Sequence, residues 1–271
     1  MIKWWDAHAH WADKRLDFKR EEWLKQAQSL GLEFSLLGGV CPEDWKNQLQ
    51  ISAQFPNSFG LCFGLHPEWV ATQELTEVDA AMNELSKVAQ QSLILGEMGL
   101  DLRPQYDEKL DQQMEFFEAQ VELACVLQKP VVLHLVRAFD EAMKAFHFFP
   151  QLPKGALVHS FNGSWPQAQK YLDLGFLISV GGPVLKADNH KLFEVIRHIP
   201  ETDLVIETDL PDQAWGPYRG DLNPPESALA VASRVAELRK CSLEQVLLFS
   251  TQNLKRWVYG KSAANPINFN S

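Results

Sequence analysis

The chain has 271 residues, of which 46% are hydrophobic and 22% charged, with 9 Trp and 16 Phe; this excludes a disordered or fibrous protein and suffices for one large domain with a filled core. Lysine and arginine total 25 against 35 aspartates and glutamates, a net charge of −10, which repels nucleic acid at long range unless a basic patch or bound cations reverse the sign locally. No window approaches the ~20 apolar residues of a membrane span, and Cys41, Cys62, Cys125 and Cys241 form no Cys-x-x-Cys pair and read as reduced.

The first residues run directly into a strand-like segment, without the apolar stretch and cleavage site of a signal peptide, so a cytoplasmic protein is expected. Short apolar runs then recur at Trp4 to His8, Phe34 to Val40, Gly60 to Leu65, Leu93 to Gly96, Val131 to Leu135, Ala156 to His159, Phe176 to Val180 and Leu204 to Glu207. Each is followed by polar or glycine-containing residues and then by helical periodicity, the rhythm of repeated βα units. The clearest helix places Leu110, Met114, Phe117, Val121 and Ala124 three or four residues apart, with Glu118 and Glu122 turned away. Eight such units predict an α/β fold, a (β/α)8 TIM barrel, for which about 250 residues is typical; an open doubly wound sheet would show the same alternation. No linker or internal repeat divides the chain, so residues 1–260 read as a single domain and 261–271 as a frayed tail.

The chemistry gathers where the runs end. In Asp6-Ala-His-Ala-His10 alternate residues share a strand face, so His8 and His10 point the same way with Asp6 behind them, and two neutral imidazoles can grip one divalent metal. Taken alone, the pair reads equally as two unrelated polar residues. The remaining candidates, Glu97, His134, His159 and Glu207-Thr-Asp209, also end apolar runs, and in a TIM barrel all those ends open onto the face that carries the active site. Burying so many imidazoles and carboxylates has a desolvation cost that a metal would offset. His66 ends the third run and faces the same site, as a substrate contact or as a satisfied structural histidine. His147, His190 and His198 fall on predicted helices or loops and read as structural or exposed.

In this order, Asp6-Ala-His-Ala-His10, Gly64-Leu-His-Pro67, Gly96-Glu-Met-Gly-Leu-Asp101, His159-Ser-Phe-Asn-Gly-Ser164, Glu207-Thr-Asp-Leu-Pro211 and Pro217-Tyr-Arg-Gly220 resemble the TatD family of metal-dependent deoxyribonucleases, within the broader amidohydrolase-like hydrolases. The resemblance spans nearly the whole chain. Carried over by motif, it implies metal ligands at His8, His10, Glu97, His134, His159 and Asp209, the six that the strand ends select. It further implies two divalent ions per chain (Zn, Mn, Mg, Ni or Fe), with Glu97 bridging them, His8, His10 and Asp209 on one, and His134 and His159 on the other. A water or hydroxide between the ions would have its pKa lowered to about 7, and Asp209 would orient it and take its proton. The family's His-Ser-Arg becomes His134-Leu-Val-Arg137 here, one residue longer, which puts the role of Arg137 in doubt and leaves the ligands intact.

Arg137 and Arg219 are candidate phosphate contacts, or salt bridges between loops. Trp11 is a candidate to stack on a base or to lid the site. Asp6 and Glu207, with Asp101 and Gly163, read as supports for the ligands and their loops. The expected function is hydrolysis of nucleic-acid phosphodiesters, with DNA as substrate and RNA open, exonucleolytic because a recessed barrel mouth admits a strand end more easily than duplex. Alternatives are the same binuclear site acting on a small amide, lactone or phosphate ester, or on an aminoacyl-tRNA ester. A metal-binding protein without turnover is disfavoured by the complete ligand set. Neither a membrane nor an obligate protein partner is expected.

Overall fold

A computed structural model of the chain describes residues 2–148, 152 and 155–260; the expected tail at 261–271 lies outside the described residues. The strands are β1 (Trp4–Ala9), β2 (Leu32–Leu37), β3 (Phe59–Gly60), β4 (Cys62–Phe63), β5 (Ile94–Asp101), β6 (Val131–Val136), β7 (Ala156–Val158), β8 (Leu177–Val180) and β9 (Leu204–Ile206). All pair in parallel and in sequential order, β1-β2-β3 in one sheet and β4 through β9 in the next. A doubly wound sheet would reverse its order at a switch point; consecutive order with helical crossovers is that of the TIM barrel.

The sheet does not close as one continuous ladder, and both breaks have local causes. β3 and β4 replace the single third strand read from the sequence. The carbonyl of Leu61 between them turns to accept from the backbone N–H groups of Leu93 and Ile94, at 2.8 and 3.3 Å. At the other seam, β1 and β9 meet just beyond the end of β9, where Asp209 N–H donates to the His8 carbonyl (3.0 Å) and His10 N–H to the Leu210 carbonyl (2.6 Å). That seam brings the two ends of the chain's ligand set together.

Around the strands lie α1 (Arg20–Ser29), α2 (Pro42–Gln54), α3 (Pro67–Thr72), α4 (Leu75–Val88), α5 (Leu110–Leu127), α6 (Phe139–Phe148), α7 (Trp165–Asp173), α8 (His190–His198), α9 (Ser227–Arg239) and α10 (Leu243–Tyr259). In α5 the expected stripe is in place: Phe117, Val121 and Ala124 are buried and Glu122 is exposed. The same face carries two buried glutamines. The Gln113 carboxamide accepts from Asp101 N–H (2.7 Å) and donates to its carbonyl (3.1 Å), and Gln120 does the same for Leu65, at 2.7 and 3.2 Å. The ends of β4 and β5, where backbone groups leave the ladder, are thereby satisfied from an outer helix.

Most of the core lies between strands and helices. A second, smaller cluster takes Phe34, Leu36, Ile94, Val132, Leu157, Leu177 and Val205 from successive strands and packs them against Leu254, Trp257 and Val258 of α10. Two residues beyond Val132, Leu157 and Val205 come His134, His159 and Glu207, on the same strand faces. The inner surface is therefore apolar toward α10 and polar at the strand ends. No described helix is long and apolar enough to cross a membrane, and all four cysteines are unpaired.

Candidate metal centre

Glu97, on β5 and fully buried, divides its carboxylate between two groups of imidazoles. Its Oε1 lies 3.2 Å from His10 Nε2 and 3.4 Å from His8 Nε2, and both nitrogens also stand 3.5–3.6 Å from Asp209 Oδ1. Its Oε2 lies 3.0 Å from His159 Nε2 and 3.5 Å from His134 Nδ1, which are 3.2 Å from each other. Ligand atoms 2.0–2.2 Å from a shared tetrahedral ion stand roughly 3.4 Å apart, so both groups have the spacing of a metal polyhedron. His8 Nε2, both oxygens of Glu97 and Asp209 Oδ1 are buried without a hydrogen-bond partner, an uncompensated state that a cation would relieve. The described residues bring together all six ligands expected from the sequence.

The electrostatics have the same sign. Burial alone would raise the Glu97 carboxyl, but the surrounding imidazoles outweigh it and hold the group well below the usual range. Burial likewise opposes protonation of His10, yet Asp209 and Glu97 carry it up to about 10. His159 is held well above its ordinary value against burial by Glu97 and Glu207, and His134 is raised against burial by Asp101 and Glu97. The centre favours positive charge between its carboxylates.

Close packing leaves the His pair no room to turn aside. A Cβ on Gly38, just past β2, would stand 2.6 Å from Cε1 of both His8 and His10, so any side chain there would push both rings out of their present positions. Behind His134, Asp101 Oδ2 faces Nε2 at 3.1 Å, which directs Nδ1 toward Glu97. Asp101 is held in turn by Arg103, at 2.6 and 2.9 Å, and Arg103 also bonds Glu68, which accepts from Tyr106 Oη (2.9 Å). Behind His159, Glu207 Oε1 lies 3.6 Å from Nδ1 and accepts from Ser160 N–H at 2.7 Å. Asp209 has a positive φ of 57°, and Gln213 donates to its Oδ2 at 2.5 Å, leaving Oδ1 to face His8 and His10.

His66 joins the second group, with Nε2 3.1 Å from His134 Nδ1 and 3.8 Å from Glu97 Oε2. Its Nδ1 accepts the Glu68 N–H at the start of α3 (3.2 Å). Burial, then the charge of His134, keep it well below its ordinary pKa and so neutral. A neutral imidazole accepting at Nδ1 carries its proton on Nε2, so His66 presents an N–H donor to the centre and not a ligand lone pair.

Asp6 accepts from Thr208 Oγ1 (2.6 Å), Thr208 N–H (3.0 Å) and His8 N–H (3.3 Å), stitching the β1 and β9 backbones together behind His8. Burial pushes its carboxyl up to about 7. Two other expectations are corrected. Trp11 is completely buried, with its ring 5.7 Å from that of Phe59, so no face is open to a base. Arg219 is exposed and forms no ion pair among the described residues, so among them it ties no loops together. Arg137 lines a cavity beside the centre. Gly38 escaped the sequence reading because it meets the His pair from the end of a neighbouring strand; Arg103 and Gln213 lie only two and four residues from Asp101 and Asp209, in irregular segments where no periodicity marks the contact.

A largely buried cluster of five imidazoles and two carboxylates at the strand ends of an α/β barrel fits a metal-dependent hydrolase. The chain matches the family model described as TatD related DNase over residues 5–259, and it belongs to that family. It is 29% identical to YabD of Bacillus subtilis, an uncharacterised metal-dependent hydrolase, over 93% of this chain and 97% of that one. It is 24% identical to the human deoxyribonuclease TATDN3 over 92% of each. The crystal structure of the TatD homologue YjjV from Escherichia coli superposes with a TM-score of 0.86 and 26% identity, covering 94% of this chain and 97% of the other.

Proposed function

We propose that the protein is a divalent-metal-dependent nuclease that hydrolyses phosphodiesters at the end of a DNA strand. The observation that carries this reading is Glu97, whose two buried, unpartnered oxygens each face a separate set of donors. His8, His10 and Asp209 would hold one ion with Glu97 Oε1, and His134 and His159 a second with Oε2. Bound there, two divalent ions supply Lewis acidity and lower the pKa of water at neutral pH.

The chain's own residues complete the chemistry. The Asp209 carboxylate would orient the attacking water and take its proton, and Gln213 fixes that carboxylate by holding Oδ2. His66 offers its Nε2–H to a phosphoryl oxygen, a fixed dipole aimed where negative charge grows. The deep burial of Glu97, His8 and Asp209 strengthens each of these interactions. Locally bound cations also reconcile a polyanionic substrate with a chain of net charge −10. Several relatives carry the name deoxyribonuclease, which favours DNA over a small ester.

The test is cleavage of an end-labelled single-stranded oligonucleotide by metal-stripped protein to which Mg, Mn or Zn is restored. Laddering that needs the metal and is lost in Asp209→Asn is expected. Absence of cleavage with every ion, in protein that still binds two, would shift the substrate to a small-molecule or aminoacyl ester.

A further inference from the structure

Beside the metal centre a cavity of about 590 Å3 opens between the loops that follow β6, β7, β8 and β9. It shares a wall with the centre: Val158 and Ser160 flank His159, and Gln213 holds Asp209. Its volume lies within the roughly 300–1,000 Å3 of pockets that enclose one small ligand. One nucleotide is such a ligand, and a duplex is not.

The lining is unusual for so acidic a chain. Arg137 and Lys191 both contribute to it against one carboxylate, Asp140, and both cations are exposed. Neither is among the side-chain hydrogen bonds or ion pairs of the described residues. Arg137 is held with φ at 57°, a conformation that residues other than glycine seldom adopt and that recurs at ligand clamps. Trp215, half-buried, lines the same space. Its ring is seated against the backbone of Gly182, where a Cβ would stand 2.6 Å from Trp215 Cδ1. Two unpaired cations and a fixed indole are what recognise a phosphate and a base.

We propose that this cavity is the subsite for the terminal nucleotide of the strand, with its phosphate between Arg137 and Lys191 and its base on Trp215. The assignment rests on the nuclease reading above and adds to it: the reaction releases mononucleotides, and the positive charge that attracts substrate is concentrated on one side of the metal centre.

The experiment titrates dAMP, inorganic phosphate and deoxyadenosine into the metal-loaded protein by calorimetry, in the wild type and in Arg137→Gln, Lys191→Gln and Trp215→Ala. dAMP is expected to bind more tightly than either fragment and to weaken roughly tenfold in each variant, with the number of bound ions unchanged. On a labelled oligonucleotide the same variants raise KM more than they lower kcat. Unchanged dAMP binding and KM in both charge variants overturn the subsite, as does phosphate binding as tightly as dAMP. If the wild type cuts no DNA but its dAMP binding falls in the variants, the nuclease reading fails and the nucleotide subsite stands.

Discussion

Replacing Gly38 with alanine disturbs the metal centre without touching a ligand. The new Cβ would lie 2.6 Å from Cε1 of His8 and of His10 and 2.8 Å from His8 Nε2, whereas ordinary contact begins at 3.4 Å, so each ring must retreat by about 0.8 Å. A metal site tolerates displacements of about 0.2 Å in ligand distance, so two of the ligands of one subsite are lost together. Removing a mere hydrogen-bond partner of a ligand costs up to ~100-fold in metal affinity, and Gly38→Ala should cost at least that at the His8–His10 subsite. The assay is competition with a chelator, alongside circular dichroism to establish that the variant is folded. A folded Gly38→Ala protein that binds both ions with wild-type affinity would refute the assignment of the His pair as ligands.

Three further outcomes follow from the surrounding contacts. Asp101→Asn keeps the shape of the side chain but weakens the partner of His134 Nε2, so affinity at the His134–His159 subsite should fall 10–100-fold in the same competition assay. Gln213→Ala frees Asp209 Oδ2; metal affinity at the His8–His10 subsite should fall 10–100-fold in the same competition assay, and kcat at saturating metal by roughly tenfold, in proportion to one lost charge-assisted hydrogen bond. Asp44, on α2, is pushed by burial from 3.8 up to about 6 while accepting from Val40 N–H and Gln48. Its protonated form suits the fold, so the stability it contributes is present below about pH 4 and lost as pH rises through about 6. In metal-free protein, denaturant titrations from pH 4 to 7 should show a decline on the order of 1–2 kcal/mol that Asp44→Asn removes.

Much of the centre was legible in the sequence because strand ends are readable. An apolar run buried in a parallel barrel must end at the mouth, so the polar residue that follows each run, Glu97, His134 or His159, could be assigned to one face without knowing its neighbours. Legibility failed where the partner is distant in sequence. The third strand divides at Leu61 because its carbonyl is drawn to Leu93 and Ile94. Trp11 disappears into the core because Phe59 comes to meet it. Asp6 shares the strand face of its histidines, yet Thr208, 202 residues away, claims its carboxylate. The role of His66 depends on a proton whose position is set by one backbone N–H at the start of α3, a contact that no periodicity encodes.

The central claim is that one carboxylate, Glu97, joins two metal subsites. It is tested most directly by counting ions: protein stripped of metal, reloaded with Zn or Mn and freed of excess is assayed by elemental mass spectrometry, beside Glu97→Ala. Two ions per chain in the wild type and at most one in the folded variant are expected. A wild type that never holds more than one ion, or a variant that keeps both, would contradict the account.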